Sequence, residues 1–394
     1  MSIPRFSVAV AAAVLAVAST AAPCAPRVPS DDSQVLERLA TRPGDSFVRE
    51  AEAARRLLAR DPRNLELALR LAHMHMARAR AESDPRELGR AQAILSPWWD
   101  QSEPPVAVLV LRGTIRQTNH QFDLARADLE QVVRREPRNA QAWLTLATVQ
   151  QVTDDLDSAR ASCARLADIT PMLIRATCAA AIDGVEGNAR AAFASLAATL
   201  ERSPDAPAGI RVWSVTLQAE LAQRLARSAE AERLYRDALA LEPRDAYATA
   251  AYADFLLDEG RPTEVMRLIA ADTTADPLLL RYALAARAAR AGDGAAALQR
   301  LAGRFAASRA RGDRVHLREE AIFALRAGDD PEGALALARE NWKTQKEPLD
   351  ARIALEAALA AGDAASVRDV VAWVARTGLE DQRIARLAAL LGPR

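Results

Sequence analysis

Hydrophobic positions along this chain recur with the period of a helix almost from end to end. Between residues 45 and 60 the apolar side chains Phe47, Val48, Ala51, Ala54, Leu57 and Leu58 fall three or four apart, which predicts one amphipathic helix. Residues 65–97 repeat the pattern twice around Ser83-Asp84-Pro85, and residues 174–203 do so around Gly184-Val185-Glu186-Gly187. Toward the C-terminus, Gly292-Asp293, Gly328-Asp329-Asp330 and Gly362-Asp363 separate further helical stretches, and Asp330-Pro331 reads as a helix start. No segment alternates with the period of two that marks a half-buried strand. The pattern predicts an all-α chain of roughly nine or ten helix pairs.

A fixed spacing underlies the periodicity. Pro137 and Pro171 lie 34 residues apart, as do Pro243 and Pro277, and Pro62, Pro97, Pro204 and Pro348 keep nearly the same beat. Setting the chain in register on these prolines aligns other positions. Residues 106–139 carry Leu109, Gly113, Phe122, Ala125 and Leu129, and residues 140–173 carry Trp143, Leu146, Ala147 and Ala159. Residues 212–245 carry Ala219, Ala231, Tyr235 and Ala238, and residues 246–279 carry Tyr252, Ala253 and Leu256. The small residues let two helices approach closely, the large ones fill the space between pairs, and each proline is expected to end a second helix.

This register resembles the tetratricopeptide repeat, W-x2-L-G-x2-Y then A-x3-F then P over 34 residues. The resemblance implies a right-handed superhelical solenoid of antiparallel helix pairs, stabilised by stacking because no single pair buries its apolar face. On that plan residues 31–105 are degenerate N-terminal repeats, 106–173 two full units, 174–211 a degenerate repeat and joint, 212–279 two full units, and 280–394 degenerate C-terminal repeats. The Pro-rich stretches 96–105 and 203–209 are expected joints.

The family lines its inner face with first-helix positions and binds other proteins there. Carried over by register, those positions are Arg70, His73, Val110, Thr114, Gln117, Gln141, Leu144, Thr148, Gln151, Trp213, Thr216, Glu220, Arg224, Tyr247, Asp254 and Asp258. Amides and hydroxyls suit an extended peptide backbone, with Trp213 and Tyr247 as aromatic anchors. Val110, Thr114, Leu144 and Thr148 stand where carboxylate-clamping members place basic and asparagine side chains, so that clamp is not expected here. The expected partner is a protein or peptide, with neither nucleic acid nor a membrane span in the mature chain.

Composition narrows the class without changing the fold. The 52 basic and 52 acidic residues cancel, which removes a general electrostatic attraction to nucleic acid or anionic lipid. Arg5, the apolar run Val8 to Val17 and small residues through Ala22 describe a secretory signal peptide over residues 1–22, too short to span a bilayer. Export to the bacterial periplasm or envelope is therefore expected, with lipidation of Cys24 as the alternative fate of the N-terminus. In an oxidising compartment Cys163 and Cys178, on adjoining helices, are a disulfide candidate; two buried free thiols are the alternative. His73 and His75 are two apart and so point to different helix faces, which argues against a metal site. No phosphate-binding loop, nucleophile elbow or pair of CxxC motifs occurs, and Arg311-Gly312-Asp313 is ascribed to chance in an arginine-rich chain. With helical periodicity running to the C-terminus, no room remains for a catalytic domain. The expected function is a non-catalytic interaction scaffold without cofactor or metal. The alternatives are a lipid-anchored structural component of an envelope or secretion assembly, or a regulatory subunit of an enzyme complex.

Overall fold

A computed structural model describes residues 46–270 and 273–392. The signal-peptide segment and Cys24 lie outside the described residues. The chain is a succession of helices: α1 (Ser46–Arg60), α2 (Leu65–Glu82), α3 (Pro85–Ile94), the single turn α4 (Ser96–Trp99), α5 (Val106–Thr118), α6 (Phe122–Arg135), α7 (Ala140–Val152), α8 (Leu156–Ala164), α9 (Met172–Asp183), α10 (Ala189–Glu201) and α11 (Ala208–Arg224). It continues with α12 (Ser228–Leu241), α13 (Ala246–Asp258), α14 (Pro262–Leu268), α15 (Asp276–Ala288), α16 (Gly294–Ala310), α17 (Leu317–Arg326), α18 (Pro331–Thr344), α19 (Pro348–Ala361), α20 (Arg368–Thr377) and α21 (Gln382–Leu391). No strand occurs among the described residues. The fold is an all-α solenoid of antiparallel helix pairs, beginning at α2–α3 and continuing α5–α6, α7–α8 and onward to α19–α20.

The small residues of the repeat sit where helices touch. Ala125, Ala159, Ala231, Ala219 and Ala253 have no exposed surface, and a Cβ on Gly113 would meet the Leu129 side chain at 2.9 Å. Large side chains fill the space between pairs: Tyr235, Tyr252 and Phe255 stack with ring centroids 5.6–6.2 Å apart. Burial of these groups supplies most of the stabilisation, at roughly 25 cal/mol per Å² of apolar surface.

The prolines play two roles rather than the one expected. Pro137 and Pro243 follow the ends of α6 and α12, but Pro171 is the residue before α9 and Pro277 lies in the first turn of α15. A missing N–H costs nothing at a helix start, so these two open the next unit instead of closing the previous one. The helices before them, α8 and α14, are short, and irregular chain fills the remainder of the period.

Both expected joints are tied down. Trp98 is buried, and Arg112 donates to the Trp99 carbonyl while Arg135 donates to that of Pro104 at 3.1 Å. Arg112 is itself buried and held by Asp128 through two bonds of 2.8 and 2.9 Å. In the second stretch Arg211 donates to the carbonyls of Ser203 and Pro204 at 3.1 and 3.0 Å.

Candidate interaction site

Each helix pair turns on one residue in the left-handed region: Ser83, His120, Asp154, Gly187, Ala226, Gly260, Arg290, Asp329 and Gly362. In eight of these nine turns the following residue donates its N–H to the carbonyl five residues back, as in Asp155 to Gln150 at 2.8 Å and Asn188 to Asp183 at 3.0 Å. This bond satisfies a carbonyl that the end of the first helix would otherwise leave orphaned. The turns so made form one rim of the solenoid.

The rim is where the chain meets itself. By α15 the array has come round to its beginning, and from there each pair faces the pair six units before it. Lys346, ahead of α19, donates its backbone N–H to Val152 at the end of α7, 2.7 Å away. Asp154 accepts from the Trp373 indole at 2.8 Å and from Arg376 at 2.6 and 2.8 Å. Gly187 touches the backbone of Gly378, and the Arg190 backbone N–H donates to Glu380 at 3.0 Å. Inside this sealed stretch Arg352 of α19 reaches α13 and grips Asp258 with two bonds of 2.7 Å, and Arg383 of α21 adds a third cation contact. Burial works against the Asp258 carboxylate, but Arg352 and Arg383 hold its pKa below the ordinary value. Cys163 and Cys178 join α8 to α9 by a disulfide, with Cα atoms 5.7 Å apart.

Nearer the N-terminus the two passes stand apart. Ser83, Thr114, Thr118 and His120 on one side face Asp276, Arg304, Arg311, His316 and Glu319 on the other across a cavity of about 590 Å³. Tyr247 stands in it with 63% of its surface exposed and donates its hydroxyl to Glu220 at 2.6 Å. Burial pushes the Glu220 carboxyl above its ordinary range, against the pull of Arg224 and the Tyr247 hydrogen bond. The Glu220 charge, with the hydrogen bond to it, raises the Tyr247 phenol well above its usual value. His120 is driven the other way, its imidazolium disfavoured by burial and by Arg318. Arg318 is committed to Asp350 and Glu347, and Arg304 to Asp276. Arg80 and Arg311 also line the cavity, and neither has an ion-pair partner among the described residues.

Of the residues assigned to the inner face by register, Tyr247 and Thr114 line this cavity; the rest do not. Arg70 and His73 are exposed on α2, and His75 is fully buried between Arg55 and Glu87. Gln117 and Gln151 are half-buried, and the exposed Gln141 and Thr148 bond within their own helix to Thr145 and Leu144. Trp213 is half-buried, with its side chain packed against the core. Thr216 and Val110 are buried in the packing, Arg224 donates to the Gly184 carbonyl at 3.4 Å, and Asp254 is not a free charge because Arg281 holds it at 2.6 and 3.0 Å. The cavity residues His120, Arg311, His316 and Glu319 were outside the expected set. They come together only because the chain closes after six pairs, and no local pattern announces that. Among the described residues no group of three or more His, Cys, Asp or Glu side chains gathers as metal ligands, and no helix is long and apolar enough to cross a membrane.

The family model described as tetratricopeptide repeat matches residues 110–171 and 216–264, so the chain carries tetratricopeptide repeats over those residues. No curated protein matches the chain. Among solved structures it is similar to a thermophilic tetratricopeptide protein of Thermus thermophilus, at 20% identity and a TM-score of 0.39 over 49% of this chain and 98% of that one. Human IFIT1, solved as a dimer with m7Gppp-AAAA, is similar at 12% identity and a TM-score of 0.48 over 87% of this chain and 77% of that one. A chain of the APC/C hetero-tetramer Cut9–Hcn1 is similar at 13% identity and a TM-score of 0.40 over 88% of this chain and 86% of that one.

Proposed function

We infer that the protein is a non-catalytic scaffold of the bacterial periplasm or cell envelope that binds a segment of a partner protein in the cavity between its two passes. The observation that carries this reading is Tyr247, a large aromatic side chain left exposed inside a cavity whose walls are hydroxyls, imidazoles and arginines. Exposed aromatics in concave polar surroundings are what binding hot spots are made of. A volume of 590 Å³ lies inside the range of roughly 300–1,000 Å³ typical of ligand pockets and suits a short extended segment rather than a folded domain. Thr114, Thr118 and His120 offer hydrogen-bonding partners for its backbone, and Arg80 and Arg311 suit an acidic side chain on it. The repeats support protein binding as the mode of action. The apolar leader and the cysteine pairing support export.

The test is crosslinking of the exported protein in its native host, followed by mass spectrometry. Wild type is compared with Tyr247→Ala and with Thr118→Trp, which fills the cavity. A partner set that is lost in both variants, at unchanged helical circular dichroism, is the expected result. Recovery of the same partners from all three proteins would place binding elsewhere and end this reading. Cell fractionation and the mass of the mature N-terminus test the export: a chain retained in the cytoplasm with residues 1–22 intact would refute it.

A further inference from the structure

We propose that the sealed stretch of the rim is a closure that opens and shuts, so that the solenoid exists in a closed form, described above, and an open form in which the second pass swings off the first. Four observations carry this. The contacts across the rim are points rather than a packed face: one backbone bond from Lys346, the Trp373 and Arg376 bonds to Asp154, the Arg190–Glu380 pair and the Gly187–Gly378 approach. Their cations are largely in solvent, Arg376 at 56% and Arg190 at 71% exposed, where an ion pair contributes little and salt weakens it. Successive helix pairs, by contrast, stack on buried apolar side chains. Trp373 keeps its own packing against Trp342, edge to face at 5.2 Å, and the Arg352–Asp258 strut lies wholly between α13 and α19. Parting the rim therefore separates no apolar stack, and the buried link it has to release between the passes is the Arg352–Asp258 strut.

The closure point admits only glycine. A Cβ on Gly187 would lie 2.8 Å from the Gly378 carbonyl oxygen, so the backbones meet there directly. Gly260 provides a matched control. It occupies the same kind of turn at φ +69° against +72°, but a Cβ there meets nothing within 4 Å. Gly187→Ala and Gly260→Ala thus carry the same backbone strain, and only the first obstructs closure. Asp154→Asn is a second, independent variant. Asparagine tolerates the left-handed backbone of that turn as aspartate does, yet removes the charge that Arg376 and Trp373 share. That opening admits a partner to the cavity rests on the function proposed above; the opening itself does not, and the experiment reads the opening alone.

Small-angle scattering of the full mature chain gives the radius of gyration, with circular dichroism recorded on the same samples. The expected result is a larger radius for Gly187→Ala and for Asp154→Asn at unchanged helicity, no change for Gly260→Ala, and a salt-induced increase for wild type. Equal radii for all four proteins would overturn the proposal. So would an increase shared by Gly260→Ala, which would assign the effect to backbone strain. Loss of helicity in the Gly187 and Asp154 variants would make the rim part of the core rather than a closure.

Discussion

The two stretches of the rim are built from the same turn and have opposite fates. At α7–α8 and α9–α10 the turn residues, Asp154 and Gly187, take contacts from the second pass of the chain. At α2–α3 and α5–α6 the corresponding residues, Ser83 and His120, face a cavity. Backbone geometry does not distinguish them, since all four sit in the left-handed region. The difference lies in what stands opposite. Trp373, Arg376 and Glu380 reach the sealed stretch, whereas the side chains opposite the open one, Arg304 and Arg318, are held by acids of their own pass. A repeat array thus leaves a cavity where it withholds a contact that its neighbouring turns make.

The largest expected effect comes from the strut inside the sealed stretch. Arg352→Ala leaves Asp258 buried with one cation fewer, and removing one partner of a buried ion pair costs about 3 kcal/mol or more. Hydrogen exchange should show the loss concentrated in α13 and α19–α21; equal loss in α2–α6 would deny that the two stretches are separate units of stability. Next is the disulfide. Replacing both Cys163 and Cys178 by alanine should cost about 3 kcal/mol for a 15-residue loop, read as a lowered denaturation midpoint under oxidising conditions and no difference from reduced wild type.

Acidity separates the stretches further. The lowered pKa of Asp258 stabilises the fold above the unfolded carboxylate's value, and that contribution is lost as pH falls through the lower folded value. Glu220 acts in the opposite sense. Its folded form keeps its proton to higher pH than the unfolded form, so the fold loses stability as pH rises from its ordinary value of 4.5 through the raised one. Glu220→Gln should therefore be more stable than wild type at neutral pH, the gain vanishing below about pH 4.5; a variant no more stable at pH 7 would contradict the burial of that carboxyl. The smallest effect is at a turn facing neither stretch. Ala226 holds a left-handed backbone that alanine disfavours, so Ala226→Gly should stabilise by about 0.5–1 kcal/mol, measured by urea denaturation.

The helix pairs were legible because their spacing is written locally: small residues at Gly113, Ala147, Ala219 and Ala253, and prolines 34 apart. The left-handed turn that each pair shares was not. Only Gly187, Gly260 and Gly362 of the nine residues are glycine, and Ser83, His120, Asp154, Ala226, Arg290 and Asp329 give no common signal. The rim contacts were less legible still. Asp154 and Trp373 are 219 residues apart, and nothing in either neighbourhood points to the other. Tyr247 stands on the first turn of its helix and lines the cavity, while Trp213 and Asp254, assigned by the same register, are engaged with the core and with Arg281. Repeat position sets which way a side chain leaves its helix; the closing of the array sets what it meets there.

The backbone N–H of Lys346 reports on that closing more directly than any other group. It precedes α19, lies outside any helix, and its one backbone acceptor is Val152, from the pass below. Residue-resolved hydrogen exchange on the wild-type chain should find this amide protected well beyond an unstructured loop, and less than the amides of α11 in the core. Exchange at the rate of a free loop, with α7 and α19 fully protected, would mean that the second pass does not rest on the first.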